Sequence, residues 1–244
     1  MPAPVEIVVE RDQDALATTV ARCLQAHLEQ ARAAGRPAEI GLTGGSMGSA
    51  TMAAWVQAQA ACAADLSDVA LWWGDERYLP AGDPDRNDTQ ADEAGLARLG
   101  LPESAVHRVP GPDSSDDLAD AAARYAATIR SAGRGGFEVL MLGVGPDGHV
   151  ASLFPGHPAQ QTSDAITVAV HGSPKPPPER VSLTFEAMER SHEVWFLVRG
   201  GDKAEAVRDG VEGAPPEVSS AAQVRGTART VWFLDEEAAS LLRR

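Results

Sequence analysis

Two stretches of this chain leave little freedom of fold. Val139-Leu140-Met141-Leu142 and Trp195-Phe196-Leu197-Val198 are apolar at every position. A strand with one wet face alternates apolar and polar residues, so unbroken runs belong to strands covered on both faces, the condition of a parallel sheet between helices. Runs that read as strands fall at Val5 to Val9, Glu39 to Thr43, Val69 to Trp73, Phe137 to Leu142, Ala165 to Val170, Arg180 to Leu183, Glu193 to Val198 and Thr230 to Leu234. Segments that read as helices fall at Asp12 to Ala33, Ser46 to Ala61, Asn87 to Leu99, Asp116 to Ser131, Phe185 to Arg190, Asp202 to Asp209 and Glu236 to Leu242. The order is mostly strand then helix, with no internal repeat and no long low-complexity linker. The expectation is a single α/β domain over residues 1–244, Rossmann-like, with a mostly parallel sheet and helices on both faces.

Charge narrows the partners. With 35 acidic residues against 21 basic ones the formal net charge is -14, which argues against nucleic acid or an anionic membrane as partner. No apolar run approaches the roughly 18 residues of a membrane span, and the opening residues lack a secretory pattern, so a cytosolic protein is expected. Cys23 and Cys62 sit in Ala-rich helical segments with no CxxC grouping, and read as inert thiols of a reducing compartment. Of the 21 basic residues only Lys175 and Lys203 are lysines, and both lie beside the segments described next.

In such folds ligands gather beyond the carboxyl ends of the strands, and five segments there carry polar chemistry. Gly44-Gly45-Ser46 leads from a strand into a helix. It lacks the GK[ST] ending of a Walker loop, and read alone is either a phosphate cradle or a tight turn. Asp75-Glu76-Arg77 follows two tryptophans and is either a set of polar groups at the core rim or a solvated turn. The acidic residues from Asp83 to Glu93 do not reproduce an EF-hand spacing, so no metal site is expected there. The third segment, Gly143-Val144-Gly145-Pro146-Asp147-Gly148-His149, is the most informative, because a glycine-rich loop at a buried strand end presents a carboxylate and an imidazole two residues apart. Imidazole titrates near neutrality and suits proton removal from water. Ser173 to Thr184 places Lys175 and Arg180 around three consecutive prolines, which fix an extended chain. Gly200-Gly201-Asp202-Lys203 puts a cation in the first turn of a helix, where it opposes the dipole unless it meets an anion.

Taken in order, these segments resemble the 6-phosphogluconolactonase family, within the group that includes glucosamine-6-phosphate deaminase. Gly143 to Pro155 is similar to the signature GxGxDGHxASLFP, and the resemblance runs from the Gly44-Gly45-Ser46 loop to Lys203. It implies hydrolysis of 6-phospho-D-glucono-1,5-lactone to 6-phosphogluconate, in the oxidative pentose phosphate pathway, without metal or organic cofactor. On that resemblance His149 is the general base and Asp147 assists it. Gly44, Gly45, Ser46, Arg180 and Lys203 hold the sugar phosphate, and Asp75, Arg77 and Asn87 complete the site.

Deaminases of the group resemble Asp-Glu-Tyr where this chain has Asp75-Glu76-Arg77, and carry a glutamate soon after the histidine. Here no carboxylate follows His149 before Asp164. One departure is that Ser46 is followed by Met47-Gly48 in place of Thr-Pro, which removes a hydroxyl from the loop. The expected partner is a small phosphosugar lactone, with no nucleic acid and no membrane. The Asp116 to Ser131 helix, with Asp113, Ser114 and Ser115 as expected caps, shows no dedicated partner surface. The acidic remainder of the chain must then surround one small positive pocket holding Arg77, Arg180 and Lys203.

Overall fold

The computed structural model describes residues 4–243 except Pro37 and Ala63. The elements in chain order are β1 (Val5–Glu10), α1 (Gln13–Ala33), β2 (Ala38–Leu42), α2 (Gly45–Cys62), β3 (Val69–Trp73), β4 (Asp75–Arg77), α3 (Asn87–Glu93), α4 (Leu118–Ala132), β5 (Val139–Leu142), β6 (Thr167–Val170), β7 (Arg180–Leu183), α5 (Phe185–Glu189), β8 (Glu193–Val198), α6 (Ala204–Glu212) and β9 (Arg229–Asp235). Six strands form one sheet in the order β1-β9-β8-β5-β2-β3, with every pair parallel. The fully apolar runs of β5 and β8 are its centre, and both are buried at every position.

The path through this sheet reverses between β2 and β5. From β2 the chain moves outward through α2 to β3, whereas from β5 it moves the other way to β8 and then through α6 to β9. Because such crossovers are right-handed, α1 and α2 cover one face and α4 and α6 the other. The reversal leaves a crevice beyond the carboxyl ends of β2 and β5. Gly143 N–H, just past β5, donates to Thr43 Oγ1, just past β2, at 3.1 Å and spans that crevice.

Four expectations require correction. Ala165 to Val170 and Arg180 to Leu183 contribute β6 and β7, which leave the main sheet for a separate antiparallel one, ordered β4-β7-β6. The sequence pattern marks them as strands but does not choose their neighbours. The helix expected from Asn87 to Leu99 stops at Glu93, and after Gly95, at φ 105°, a 3-10 turn runs from Leu96 to Leu99. Helix α4 is capped by Asp117, which accepts the Asp120 N–H, while Asp113 accepts from Ala81 N–H and Ser115 donates to Gly111 O. Glu236 to Leu242 forms successive turns and no helix. Asp235 Oδ1 accepts the Ala238 N–H at 2.8 Å and Asp235 O the Ala239 N–H at 3.0 Å, so a capped turn starts there, but it does not propagate into a helix. No helix among the described residues is long and apolar enough to cross a membrane.

Candidate active site

The two glycine-rich loops at the crevice are shaped by close approach. A Cβ at Gly145 would lie 2.0 Å from His149 Nδ1 and 2.4 Å from Asp147 Oδ1, so only glycine admits that pair. A Cβ at Gly44 would lie 1.7 Å from Asn87 Oδ1, so the first loop is glycine for the same reason.

His149 Nδ1 lies 2.6 Å from Asp147 Oδ1, and its ring rests on Phe154 with centroids 4.5 Å apart. Partial burial opposes ionisation of Asp147, but the His149 hydrogen bond and the neighbouring Lys175 outweigh it and hold the carboxyl well below its usual range. An ionised carboxylate only accepts, so the proton of this short contact sits on Nδ1 and leaves the Nε2 lone pair free in the neutral ring. Lys175 Nζ donates to the same Asp147 oxygen at 3.2 Å and stands 3.4 Å from Nδ1. Its position was not foreseen in the sequence beyond the rarity of lysine in this chain.

Arg180 explains how Lys175 is held. Buried to 4% exposure, it donates to the carbonyls of Lys175, Pro176 and Pro177, and packs over Phe154. Arg180 lines the pocket, but much of its hydrogen-bonding capacity braces the proline loop. Burial lowers its affinity for its proton, Arg77 adds to that, and Asp75 opposes both.

Strand pairing places Arg77 opposite Arg180 and Asp75 opposite Ser182. Arg77 Nη1 donates to Asn87 Oδ1 at 2.6 Å and to Asp85 O, while its buried Nε has no acceptor among the described residues. Asn87 Nδ2 donates to Asp75 O, and Ser152 Oγ donates to Asp75 Oδ2 at 2.6 Å. Glu76, not singled out from the sequence, fixes Asn87. Its carboxylate accepts the N–H groups of Arg77, Asn87 and Asp88, and so serves as the cap that α3 lacks from its own Arg86. Burial and then Asp88 push Glu76 up to about 7, against Arg86 and the backbone donors.

A pocket of about 330 Å³ gathers these groups. Gly44, Gly45, Ser46, Asp75, Arg77, Asn87, His149, Arg180 and Lys203 all line it, so the structure brings nearly every expected residue together. Asp147 supports it from behind His149. Two further cations join, Lys175 and Arg199, so five positive side chains meet Asp75 as the single lining carboxylate. Arg199 Nε donates to Ser46 Oγ at 3.2 Å and ties β8 to the first loop; its position directly after a buried strand was the signal available for it. Lys203 pairs with Asp202 at 3.2 Å and keeps 24% exposure.

A pocket of this charge at the switch point of a doubly wound sheet marks an α/β protein built to hold a small anion. Residues 11–232 match the family described as Glucosamine-6-phosphate isomerases/6-phosphogluconolactonase, and the chain belongs to that family. It is 44% identical to the 6-phosphogluconolactonase of Streptomyces coelicolor over 248 aligned positions, covering 98% of this chain and 95% of that one. The structure of 6-phosphogluconolactonase from Thermotoga maritima superposes with a TM-score of 0.84 at 26% identity, covering 95% of this chain and all of the other. A monomeric glucosamine-6-phosphate deaminase shares the fold at a TM-score of 0.82 and 21% identity, over 97% of this chain and 99% of that one, so the architecture alone does not separate the two chemistries.

Proposed function

We propose that this protein hydrolyses the ring ester of 6-phospho-D-glucono-1,5-lactone, giving 6-phosphogluconate and a proton, with His149 as general base. The observation that carries this reading is the His149 imidazole, paired through Nδ1 with Asp147 and lining a pocket with five cations. Nε2 takes a proton from water as the water attacks C1. The tetrahedral intermediate then expels O5, and the imidazolium returns the proton to it. Asp147 fixes the tautomer throughout. Lys175, 3.4 Å from Nδ1, shares the Asp147 carboxylate with the imidazole and helps fix the pair.

The glycine-rich loop supplies fewer oxyanion donors than its composition suggests. Gly143 N–H is bound to Thr43, Gly145 N–H to His149 O, and Gly148 N–H to Gly145 O. The pocket cations are therefore the better source of charge stabilisation at C1, with Lys175 nearest the base. The phosphate is held by the first turn of α2, which begins at Gly45, with Ser46, Arg199 and Lys203. Binding the remote phosphate in this way fixes the carbonyl beside His149.

The test is proton release from freshly prepared lactone, with the spontaneous rate subtracted, run beside ammonia release from glucosamine 6-phosphate. Turnover of the lactone alone is expected. Ammonia release without lactone turnover would assign the chain to the deaminase chemistry of the same fold, and 6-phosphogluconate binding without either reaction would leave it a sugar-phosphate binding protein.

A further inference from the structure

A second cavity, of about 410 Å³, opens away from the catalytic crevice, around the start of β2, the end of α4, the loop into β5, and α5. It shares no lining residue with the pocket around His149. Its size is in the range of small-molecule sites.

Glu39 lies within it, only 4% exposed at the opening of a buried strand. The Trp72 indole N–H donates to Glu39 Oε2. Oε1 has no hydrogen-bond donor among the described residues, and Arg134 Nε stands 3.9 Å away on a side chain that is 61% exposed. Burial pushes the Glu39 carboxyl up, with Trp72 and then Arg134 pulling the other way. Oε1 thus keeps accepting capacity inside the cavity, which a ligand N–H group would fill.

The rest of the cavity defines what else that ligand carries. Ile129, Phe137, Ile166 and Ala187 give it apolar walls. At the rim Arg130 and Arg190 are exposed and have no acidic partner among the described residues. Asp164 and Glu186 also line the cavity, and Glu186 Oε2 accepts the Asp164 N–H at 3.1 Å. The cavity thus offers a hydrogen-bond acceptor with Arg134 beside it, apolar walls, and two exposed arginines without an acidic partner among the described residues.

We propose that this cavity binds a small anion with an apolar or aromatic body, an N–H donor that meets Glu39, and a phosphate or carboxylate that meets Arg130 and Arg190. Purine nucleotides combine these three features, and adenosine monophosphate is the probe. The site is independent of the lactonase reading, since neither its residues nor its ligand take part in the hydrolysis.

Isothermal titration of the full chain, with 6-phosphogluconate saturating the other pocket, tests it. One adenosine monophosphate per chain is expected, with adenosine and inorganic phosphate each weaker by at least about tenfold. Glu39→Gln is expected to weaken the nucleotide by a similar factor, because glutamine must give its oxygen to the Trp72 N–H and turn an NH2 toward the ligand's own donor. Arg190→Ala should weaken the nucleotide but not adenosine. Ala165→Trp, which fills the cavity and leaves Glu39 intact, should abolish binding, so the test survives if Glu39→Gln folds poorly. Lactone turnover and melting temperature serve as controls for folding. The proposal is overturned by absence of binding at millimolar nucleotide, by competition with 6-phosphogluconate, by phosphate binding as tightly as the nucleotide, or by unchanged affinity in the folded Glu39→Gln and Ala165→Trp proteins.

Discussion

Two histidine–carboxylate pairs in this molecule look alike and differ in what they can do. His27 Nε2 lies 2.8 Å from Glu138 Oε1, close to the 2.6 Å of His149 and Asp147. His27, however, is 6% exposed, and its Nδ1 faces a second carboxylate, Glu193, at 3.5 Å. Arg36 and Arg229 complete the cluster by binding Glu138 and Glu193. Nε2 of His27 is committed, Nδ1 faces a second carboxylate, and His27 lines neither of the two cavities described above. His149 has one nitrogen committed, the other free, and lines a pocket. A short contact to a carboxylate therefore does not make a base; the unoccupied nitrogen and access to a ligand do.

Exchanging the two residues' fates gives the largest expected effects. In His149→Ala, turnover should fall by about 10²–10⁴-fold with little change in melting temperature, as read by steady-state lactone hydrolysis. His27→Ala removes one partner from each of two buried carboxylates that keep their arginines, and should cost about 1–3 kcal/mol of stability, while turnover per folded molecule stays near wild type. Denaturant titration measures the first part of that, and the comparison fails if the two variants swap phenotypes.

Asp147→Asn sharpens the same contrast. It replaces a charge-assisted hydrogen bond with a neutral one, worth about 1.5–3 kcal/mol, so turnover should drop by roughly 10- to 100-fold while the Michaelis constant stays nearly level. Arg199→Ala and Lys203→Ala should do the reverse, raising the Michaelis constant several-fold with little effect on turnover; an unchanged Michaelis constant in both would remove them from the phosphate contact.

The smallest effect concerns Glu76, a structural carboxyl like those around His27. Its folded value of about 7 is above its ordinary 4.5, so its stabilising contribution is full below pH 4.5 and is lost as pH rises through 7. Melting temperature should decline between about pH 4.5 and 7 and level off above, and Glu76→Gln should flatten that decline. Parallel curves for the two proteins would contradict the assignment.

The sequence was most legible where residues answer to local rules. The unbroken apolar runs of β5 and β8 announced a buried parallel sheet, and the Asp147-Gly148-His149 loop stood out as a candidate site through a strand end and a glycine frame. It was least legible where the outcome depends on contacts distant in the chain. Nothing local tells β7 to pair with β4 and β6, or Glu76 to cap α3 from another strand. Lys175 reaches Asp147 across 28 positions of sequence and Arg199 reaches Ser46 across 153. His27 fits an apolar stripe of α1 with Leu16, Val20, Leu24 and Ala31, so its place reads as core, and only the fold shows the two glutamates it meets.

Loss of activity in a His149 variant shows that the imidazole is needed, whereas its working protonation state is read from the dependence of kcat/KM on pH. Since Asp147 is held well below the usual carboxylate range, it stays ionised where the base is titrated. With spontaneous hydrolysis subtracted, kcat/KM should rise from acid pH with a slope of one, the loss of a single proton, and then level off. A slope of two, or a rate that stays flat through the acid range, would contradict a neutral His149 imidazole acting on water.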